Sequence, residues 1–223
     1  MSAHADIRQA VVVHSGGADS TICLHWAMRR FERVQAITFD YGQRHRVEIK
    51  CAANICRQLG IPQRVIHLDC LAQLGGNSLT DAGIRIQTAA SGSLPNTFVP
   101  GRNILFLTLA AAWCHSLQCH DLVTGVCQTD YSGYPDCRAA TISSLQQTLT
   151  LGMDHPLHIH TPLMHLSKAD SIRLAHELGA FESLRLSHTC YEGGIPPCGT
   201  CPSCLLRAKG FAEAGFADPL LSP

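Results

Sequence analysis

The sequence carries little charge and has no excess of either sign. Its 223 residues include 17 Asp and Glu and 17 Lys and Arg, and charged residues make up only 15% of the chain. Without a basic surplus, the composition gives no support for binding to a nucleic-acid backbone. The hydrophobic fraction of 46% is typical of a folded protein and excludes a disordered one. We therefore expect a folded domain with no nucleic-acid partner.

Long apolar segments are also missing. The most apolar stretch, residues 104–114, is much shorter than the roughly 20 residues that a membrane-spanning helix needs. No charged leader followed by an apolar core stands at the amino terminus. We therefore expect a cytoplasmic protein with no membrane partner.

Cysteine, in contrast, is abundant, with 12 residues. Cytoplasmic thiols stay reduced, so these residues do not predict a disulfide scaffold. Isolated cysteines are most often small buried residues. We interpret Cys23, Cys51, Cys56 and Cys114 in this way.

A glycine-rich turn follows the first apolar run. The Walker pattern that ends in Gly-Lys-Ser/Thr is absent, which argues against transfer of a γ-phosphoryl group. Instead, residues 15–20 read Ser-Gly-Gly-Ala-Asp-Ser between a predicted strand and a predicted helix. Two glycines let the backbone approach an anion, and the free N–H groups at the start of a helix favour negative charge. The turn resembles the pyrophosphate loop of ATP pyrophosphatases, which cleave ATP between its α and β phosphates. The alternative is a strand–helix turn with no ligand.

Apolar periodicity predicts alternating strands and helices. The predicted strands cover residues 10–14, 34–39, 65–68, 122–126 and 157–161. The predicted helices cover residues 21–31, 47–59, 102–117 (buried), 139–151 and a segment between Ser167, which begins a capping box, and Gly179. Residues 70–100 are predicted to be an irregular loop, of a length that is usually functional or mobile.

Repeated strand–helix units predict an α/β fold. We expect a Rossmann-like parallel sheet with helices on both faces. The resemblance of the loop to that of the ATP pyrophosphatases implies the adenine nucleotide alpha hydrolase-like type of this fold. Such sheets bind ligands beyond the carboxyl ends of their strands, at the point where the strand order reverses. Ser15, Asp40, Cys127 and Thr161 fall at this edge.

Four cysteines near the carboxyl end form a Cys-x7-Cys-x2-Cys-x2-Cys array: Cys190, Cys198, Cys201 and Cys204. Four thiolates satisfy tetrahedral zinc and leave no position for water, so we expect one structural Zn²⁺ per chain. The same ligands suit an iron–sulfur cluster. A further alternative is that the four cysteines are buried or redox-active and bind no metal. His188 lies nearby and could replace one of the sulfur ligands of a metal.

Together these motifs resemble the 7-cyano-7-deazaguanine synthase family, and the resemblance runs through nearly the whole chain. It is carried by residues 14–21, 39–45, 99–103, 130–138, 188–191 and 194–199. Two departures stand out. His14 occupies a position where the family more often has phenylalanine, and Ala139 and Ala140 replace residues that are usually acidic.

The resemblance implies an enzyme that uses ATP and Mg²⁺ to convert 7-carboxy-7-deazaguanine and ammonia into the 7-cyano compound, in queuosine biosynthesis. It also implies a homodimer. We expect a nucleotide-binding α/β domain at residues 1–185 and a zinc-binding segment, a loop and a helix, at residues 186–223.

The resemblance also implies roles for individual residues. Asp19, Lys168 and Arg102 are the expected catalytic residues. Asp19 would help to position Mg²⁺, and Lys168 would contact phosphate unless it is a solvated helix lysine. Arg102 would bind the substrate carboxylate or the phosphates, unless it forms an ordinary surface ion pair. The expected ATP-binding residues are His14, Ser15, Gly16, Gly17, Ala18, Asp19, Ser20, Thr21, Ile22, Cys23 and Leu24.

The expected substrate-binding residues are Tyr41, Arg44, Asp130, Tyr131 and Asp136. A carboxylate suits the guanine-like N–H edge, and an aromatic ring can stack on the base. The alternatives are that the two aspartates form turns and that Tyr41 and Arg44 only pack. Cys127 is interpreted as a small residue lining the pocket.

Two other functions fit parts of the sequence. A pyrophosphate-loop tRNA thiolase would also use ATP and cysteine-bound metal, but the neutral charge balance gives it no basic RNA-binding region. A non-catalytic zinc-ribbon binding module would explain the cysteine array and leave the loop at residues 15–20 unexplained.

Overall fold

The computed structural model describes residues 8–87, 93–128 and 133–221. Its strands are β1 (Gln9–Val13), β2 (Arg33–Asp40), β3 (Gln63–His67), β4 (Asp121–Val123) and β5 (His158–His160). Its helices are α1 (Ala18–Met28), α2 (Val47–Leu59), α3 (Asp69–Leu74), α4 (Arg102–Ser116), α5 (Ala139–Met153), α6 (Lys168–Glu177), α7 (Phe181–Leu186) and α8 (Pro202–Ala214). A 3₁₀ turn at Pro135–Cys137 precedes α5.

The five strands form one parallel sheet in the order β3-β2-β1-β4-β5. The chain builds outward from β1 to β2 and β3, and then crosses back to place β4 on the other side of β1. The strand order therefore reverses between β1 and β4, and a crevice forms beyond their carboxyl ends. This arrangement confirms the predicted α/β fold.

Alternate residues of β1 point to opposite faces of the sheet. Val11 packs in a core that contains Phe106 of α4, whereas Val12 packs in a second core with Ile22 of α1 and Phe211 of α8. Helices therefore cover both faces, as predicted. The C-terminal helix α8 contributes to the same core as β1.

The structure corrects three of the predicted elements. α1 begins at Ala18, three residues early, because Gly17 takes an extended conformation and its carbonyl accepts hydrogen bonds from the Ser20 and Thr21 hydroxyls. The predicted loop at 70–100 contains the short helix α3. α4 buries one face only, and Ile104 is 40% exposed.

The start of α6 matches its prediction. Ser167 Oγ accepts a hydrogen bond from the backbone N–H of Asp170, and Gly179 follows the helix with a φ of +71°. Within the described residues, none of the helices has both the length and the apolar character of a membrane-spanning segment.

Candidate active site

A cavity of about 260 Å³ opens at the carboxyl ends of β1 and β4. One wall is formed by the β1–α1 loop and the chain after β4, with Val13, His14, Ser15, Gly17, Ala18, Asp19, Ser20, Thr124, Gly125, Val126 and Cys127. His188 and Thr189 lie against this loop, and the rest of the lining is formed by Phe39, Tyr41, His45, Glu48, Arg102, Asn103, Phe106, Tyr134, Cys137, Tyr191 and Ser203. The cavity therefore lies at the strand-order reversal, where the sequence predicted a ligand site.

The loop at the end of β1 depends on glycine. Gly16 has a φ of +90°, and a Cβ atom there would lie 2.2 Å from the carbonyl oxygen of Glu48. No other residue fits both the conformation and the space. The loop is thereby held directly against α2.

Serine hydroxyls hold the loop closed around the start of α1. Ser20 Oγ accepts a hydrogen bond from the Ser15 backbone N–H at 3.1 Å and donates to the Gly17 carbonyl at 3.1 Å. Ser15 Oγ accepts from the Gly17 N–H at 3.2 Å. No side chain caps α1, whose first turn also carries Asp19. Uncapped N–H groups and the helix dipole make this end suited to a phosphate.

Lys168, the first residue of α6, reaches this loop. Its Nζ donates to both carboxylate oxygens of Asp19 at 2.7 Å, and its side chain is only 12% exposed. The alternative of a solvated helix lysine is therefore wrong. The close approach of α8 depends on Gly210, where a Cβ atom would lie 2.5 Å from Lys168 Cγ.

Much of the remaining cavity lining is aromatic. The rings of Phe39 and Phe106 stack with centroids 4.3 Å apart. Tyr41, Tyr134 and Tyr191 also line the cavity, and burial raises the pKa of Tyr41 to about 12. These aromatic rings present flat surfaces that suit a planar heterocycle.

Arg102 lies among these aromatic rings at the start of α4. Its Nη1 donates to Tyr41 Oη at 3.3 Å, and its guanidinium lies 5.8 and 5.9 Å from the ring centroids of Tyr41 and Tyr134. Burial acts to lower the pKa of Arg102, but Tyr41, Tyr134 and Asp136 outweigh it and the net pKa is raised. Arg102 is thus a charged group in the cavity wall, and among the residues that the structure describes it forms no surface ion pair.

Other predicted substrate residues are placed differently. Arg44 Nη1 donates to the carbonyls of Ser78 and Ile84, and its Nη2 lies 3.3 Å from Glu192. Asp136 Oδ2 accepts from the backbone N–H of Asn103 and so holds the start of α4. Neither side chain lines the cavity.

The remaining predicted residues divide into two groups. Asp130 and Tyr131 lie outside the described residues. In α1, Ile22, Cys23 and Leu24 are fully buried in the core beneath the loop and do not line the cavity. Gly16 and Thr21 shape the loop without lining it.

Sequence reasoning missed several residues of the cavity. It assigned no site role to Phe39, Phe106, Tyr134, His45 or Glu48, although Phe39 and His45 lie in the 39–45 segment that carried the resemblance. Their elements come from distant parts of the chain. Nothing in local periodicity distinguishes a pocket-lining aromatic residue from a core one.

The four C-terminal cysteines converge. The sulfur atoms of Cys190, Cys198, Cys201 and Cys204 all lie within 4.8 Å of one another, and the sulfurs of Cys198 and Cys204 are 3.9 Å apart. Tetrahedral zinc with Zn–S bonds of about 2.3 Å requires sulfurs about 3.8 Å apart. Backbone N–H groups of Cys198 and Cys201 donate to the sulfurs of Cys190 and Cys198, which favours thiolates. The cluster therefore fits a four-sulfur metal site.

The parallel sheet with its strand-order reversal and the uncapped glycine loop define an α/β fold of the adenine nucleotide alpha hydrolase-like type. Solved structures support the fold. A protein described as a predicted subunit of tRNA methyltransferase from Methanocaldococcus jannaschii superposes with a TM-score of 0.52 at 19% identity, covering 77% of this chain and 75% of that one. A 4-thiouridine synthetase, solved with RNA and ATP, gives 0.51 at 17% identity, covering 93% and 50%.

Sequence comparison identifies the family. Residues 9–215 match the family described as queuosine biosynthesis protein QueC. The 7-cyano-7-deazaguanine synthase of Chromobacterium violaceum is 57% identical, covering 97% of this chain and 94% of that protein. The synthase of Laribacter hongkongensis is 54% identical, covering 100% and 98%. The chain therefore belongs to the QueC family of queuosine biosynthesis.

Proposed function

We propose that this protein is a 7-cyano-7-deazaguanine synthase. It converts 7-carboxy-7-deazaguanine and ammonia into 7-cyano-7-deazaguanine and releases AMP and pyrophosphate from ATP. The observation that carries the proposal is one cavity lined by the glycine-rich loop at residues 15–20, by several aromatic rings and by the partly buried Arg102. The names of the relatives that cover nearly the whole chain point to the same reaction.

The proposed chemistry uses ATP to remove oxygen. A carboxylate is a poor electrophile because its charge repels nucleophiles and oxide cannot leave. Attack of the carboxylate on the α-phosphorus of ATP gives an acyl adenylate, which ammonia converts into an amide. A second adenylation at the amide oxygen lets AMP depart and leaves the nitrile, so each turnover consumes two ATP.

The cavity residues fit distinct roles in this reaction. We place the ATP phosphates on the loop at residues 15–20, next to the paired Asp19 and Lys168. Arg102, charged and set between Tyr41 and Tyr134, would hold the substrate carboxylate bidentately. Asp19 is the carboxylate that would hold Mg²⁺, which supplies positive charge to the phosphate oxygens.

The metal is proposed to be structural zinc. Residues 186–223, including the cysteine cluster and α8, would form a zinc-binding segment attached to a nucleotide-binding domain at residues 1–185. Zinc would hold a segment that contains five glycines and prolines between Gly193 and Gly199 and has few apolar residues of its own. An iron–sulfur cluster remains the alternative that metal analysis tests.

The protein is further proposed to be a cytoplasmic homodimer that binds no nucleic acid. Residues 103–116 and 139–153 contain no Asp, Glu, Lys or Arg, and their exposed side chains include Ile104 and Leu151. An uncharged surface on two neighbouring helices suits a contact with a second copy of the chain. Light scattering during gel filtration gives the mass; a Leu151→Asp variant should then shift toward the monomer.

One incubation tests the proposed reaction. Purified protein is combined with ATP, Mg²⁺, ammonium and 7-carboxy-7-deazaguanine, and the products are identified by mass. We expect the cyano compound and AMP, both dependent on the carboxylate substrate. AMP release that requires tRNA would favour a thiolase. Failure of the wild-type protein to bind a fluorescent ATP analogue, with Asp19→Ala as the comparison, would favour a binding module.

A further inference from the structure

Three buried histidines share one cavity. Four buried side-chain nitrogen atoms within the described residues have no hydrogen-bond partner: both ring nitrogens of His14 and the Nδ1 atoms of His45 and His188. All three histidines line the candidate active site. Buried polar atoms are nearly always paired, so unpaired ones concentrated in one cavity point to a ligand or a chemical role.

His45 differs from the other two in the partner of its second nitrogen. His45 Nε2 lies 3.3 Å from Glu48 Oε1. The Glu48 carboxylate therefore lies beside Nε2, whereas Nδ1 has no hydrogen-bond partner among the described residues. His188 Nε2 instead contacts the neutral carbonyl of Gly194 at 2.9 Å. His14 has no acidic hydrogen-bond partner within the described part of the chain.

Glu48 is itself held in place. Gln43 Nε2 donates to Glu48 Oε1 at 3.2 Å and to the carbonyl of Phe39 at 3.2 Å. Gln43 Oε1 accepts from the backbone N–H of Tyr41 at 2.8 Å. The chain of contacts fixes the carboxylate, and the carboxylate fixes the imidazole. An imidazole oriented by a carboxylate is the arrangement that general-base catalysis uses.

Among the neighbouring side chains, His45 is the one suited to accept a proton. The ring of Tyr191 lies 5.9 Å from the His45 ring, and burial raises the pKa of Tyr191, so its phenol stays protonated. Gly193 packs against the His45 backbone, and beside it Arg44 and Glu192 pair with each other. The charged group that faces the imidazole is therefore Glu48.

We infer that His45, oriented by Glu48, accepts the protons that the nitrogen nucleophile loses. This role rests on the proposed synthase reaction. When ammonia adds to the acyl adenylate, a C–N bond forms, the C–O bond to AMP breaks, AMP leaves with the electron pair and one N–H proton passes to His45 Nδ1.

The dehydration step needs the same base twice. The amide oxygen bonds to the α-phosphorus of a second ATP, and pyrophosphate leaves. The nitrogen then gives up two protons in turn while the C–O bond breaks, which produces the C≡N bond and AMP. His45 returns each proton to solvent before it takes the next one.

The test separates adenylation from proton removal. In His45→Gln, exchange of pyrophosphate into ATP driven by 7-carboxy-7-deazaguanine should remain near the wild-type rate, which also shows that the variant is folded. Single-turnover formation of amide and nitrile should fall about 100-fold, the lower range for loss of a general base. Glu48→Gln should reduce the same steps less. His155→Gln, a buried histidine outside the cavity, is the matched control and should leave both rates unchanged.

A pH profile tests the chemical role directly. The amide is supplied with ATP, so that ammonia is not a reactant and its own titration does not contribute. The wild-type rate of nitrile formation should fall toward acid pH, and this fall should be absent in His45→Gln. Unchanged nitrile formation in His45→Gln, or an equal loss of pyrophosphate exchange, would overturn the inference. A wild-type protein that makes no nitrile would instead overturn the proposed function.

Discussion

Lys168 Nζ lies 2.7 Å from both carboxylate oxygens of Asp19, although the two residues are 149 positions apart in the chain. The pair joins the first turn of α6 to the first turn of α1, beside the cavity. Its side chains are 12% and 28% exposed, so solvent screens it less than a surface ion pair. Removing either partner leaves the other charge poorly solvated at the loop expected to bind phosphate.

We predict that Lys168→Met lowers both ATP binding and stability. The unpaired Asp19 carboxylate would repel phosphate, and its partial burial should cost about 2 kcal/mol of unfolding free energy. Titration with an ATP analogue and urea denaturation measure the two effects. The control is Arg173→Met on the same helix, because Arg173 pairs with Asp170 at 2.6 Å and both side chains are about half exposed. Equal effects in the two variants would contradict a special role for Lys168.

We predict that Gly210→Ala reduces activity by displacing Lys168. The new Cβ atom would lie 2.5 Å from Lys168 Cγ, so the lysine stem must move. Misplacement of a catalytic group by about 1 Å can cost about 100-fold in rate. Gly152→Ala is the control: a Cβ atom there meets nothing within 4 Å, and alanine in a helix should add up to about 1 kcal/mol of stability. Steady-state AMP release reports activity, and a Gly210→Ala variant with wild-type rates would show that the lysine position is not critical.

We predict that Cys201→Ser abolishes stoichiometric metal binding. Wild-type protein should contain about one zinc per chain, and loss of one of four thiolates should weaken the site and lower the melting temperature. Elemental analysis and thermal unfolding measure these changes. Cys70→Ser, at an exposed cysteine outside the cluster, should retain both zinc and stability. Iron and labile sulfide in the wild-type protein would contradict the zinc assignment.

We predict that His14 makes the fold less stable in mild acid. Burial lowers the pKa of His14 from 6.5 to about 4, so the unfolded chain binds a proton in this range and the folded chain does not. Stability should therefore fall as the pH drops from about 6.5 to 4, by up to about 3 kcal/mol from this group. His14→Phe should lose this contribution. The check is urea denaturation of both proteins between pH 4.5 and 7.5; equal slopes would exclude His14 as a source of acid sensitivity.

Local sequence was enough to predict the first strand–loop–helix unit and the convergence of the four C-terminal cysteines. In both places the groups that act together lie within about 15 residues of one another. Their spacing along the chain is therefore enough to predict their relative positions. Gly16 illustrates this for the loop, and the close array from Cys190 to Cys204 illustrates it for the metal. Repetition of strand–helix units likewise predicted the parallel sheet, because only crossover connections join parallel strands.

The aromatic wall could not be predicted in the same way. Phe39 and Phe106 stack although they belong to β2 and α4, and each has the apolar character of an ordinary core residue. Arg44 and Asp136 show the opposite case. Both were expected to contact substrate, yet their polar groups hold backbone atoms of neighbouring segments. Residue type predicts which bonds a side chain can form, while packing decides which partner it meets.

The amino-acid sequence alone determined the class of fold, the phosphate-type loop, the four clustered cysteines and the family resemblance, because each depends on short local motifs or on the order of such motifs along the chain. Tertiary structure decided that Lys168 pairs with Asp19, that Arg102 lies between Tyr41 and Tyr134, and that His45 faces the same cavity. These relationships join separate elements across the carboxyl edge of the sheet. Their geometry exists only after the strand order has brought those elements together.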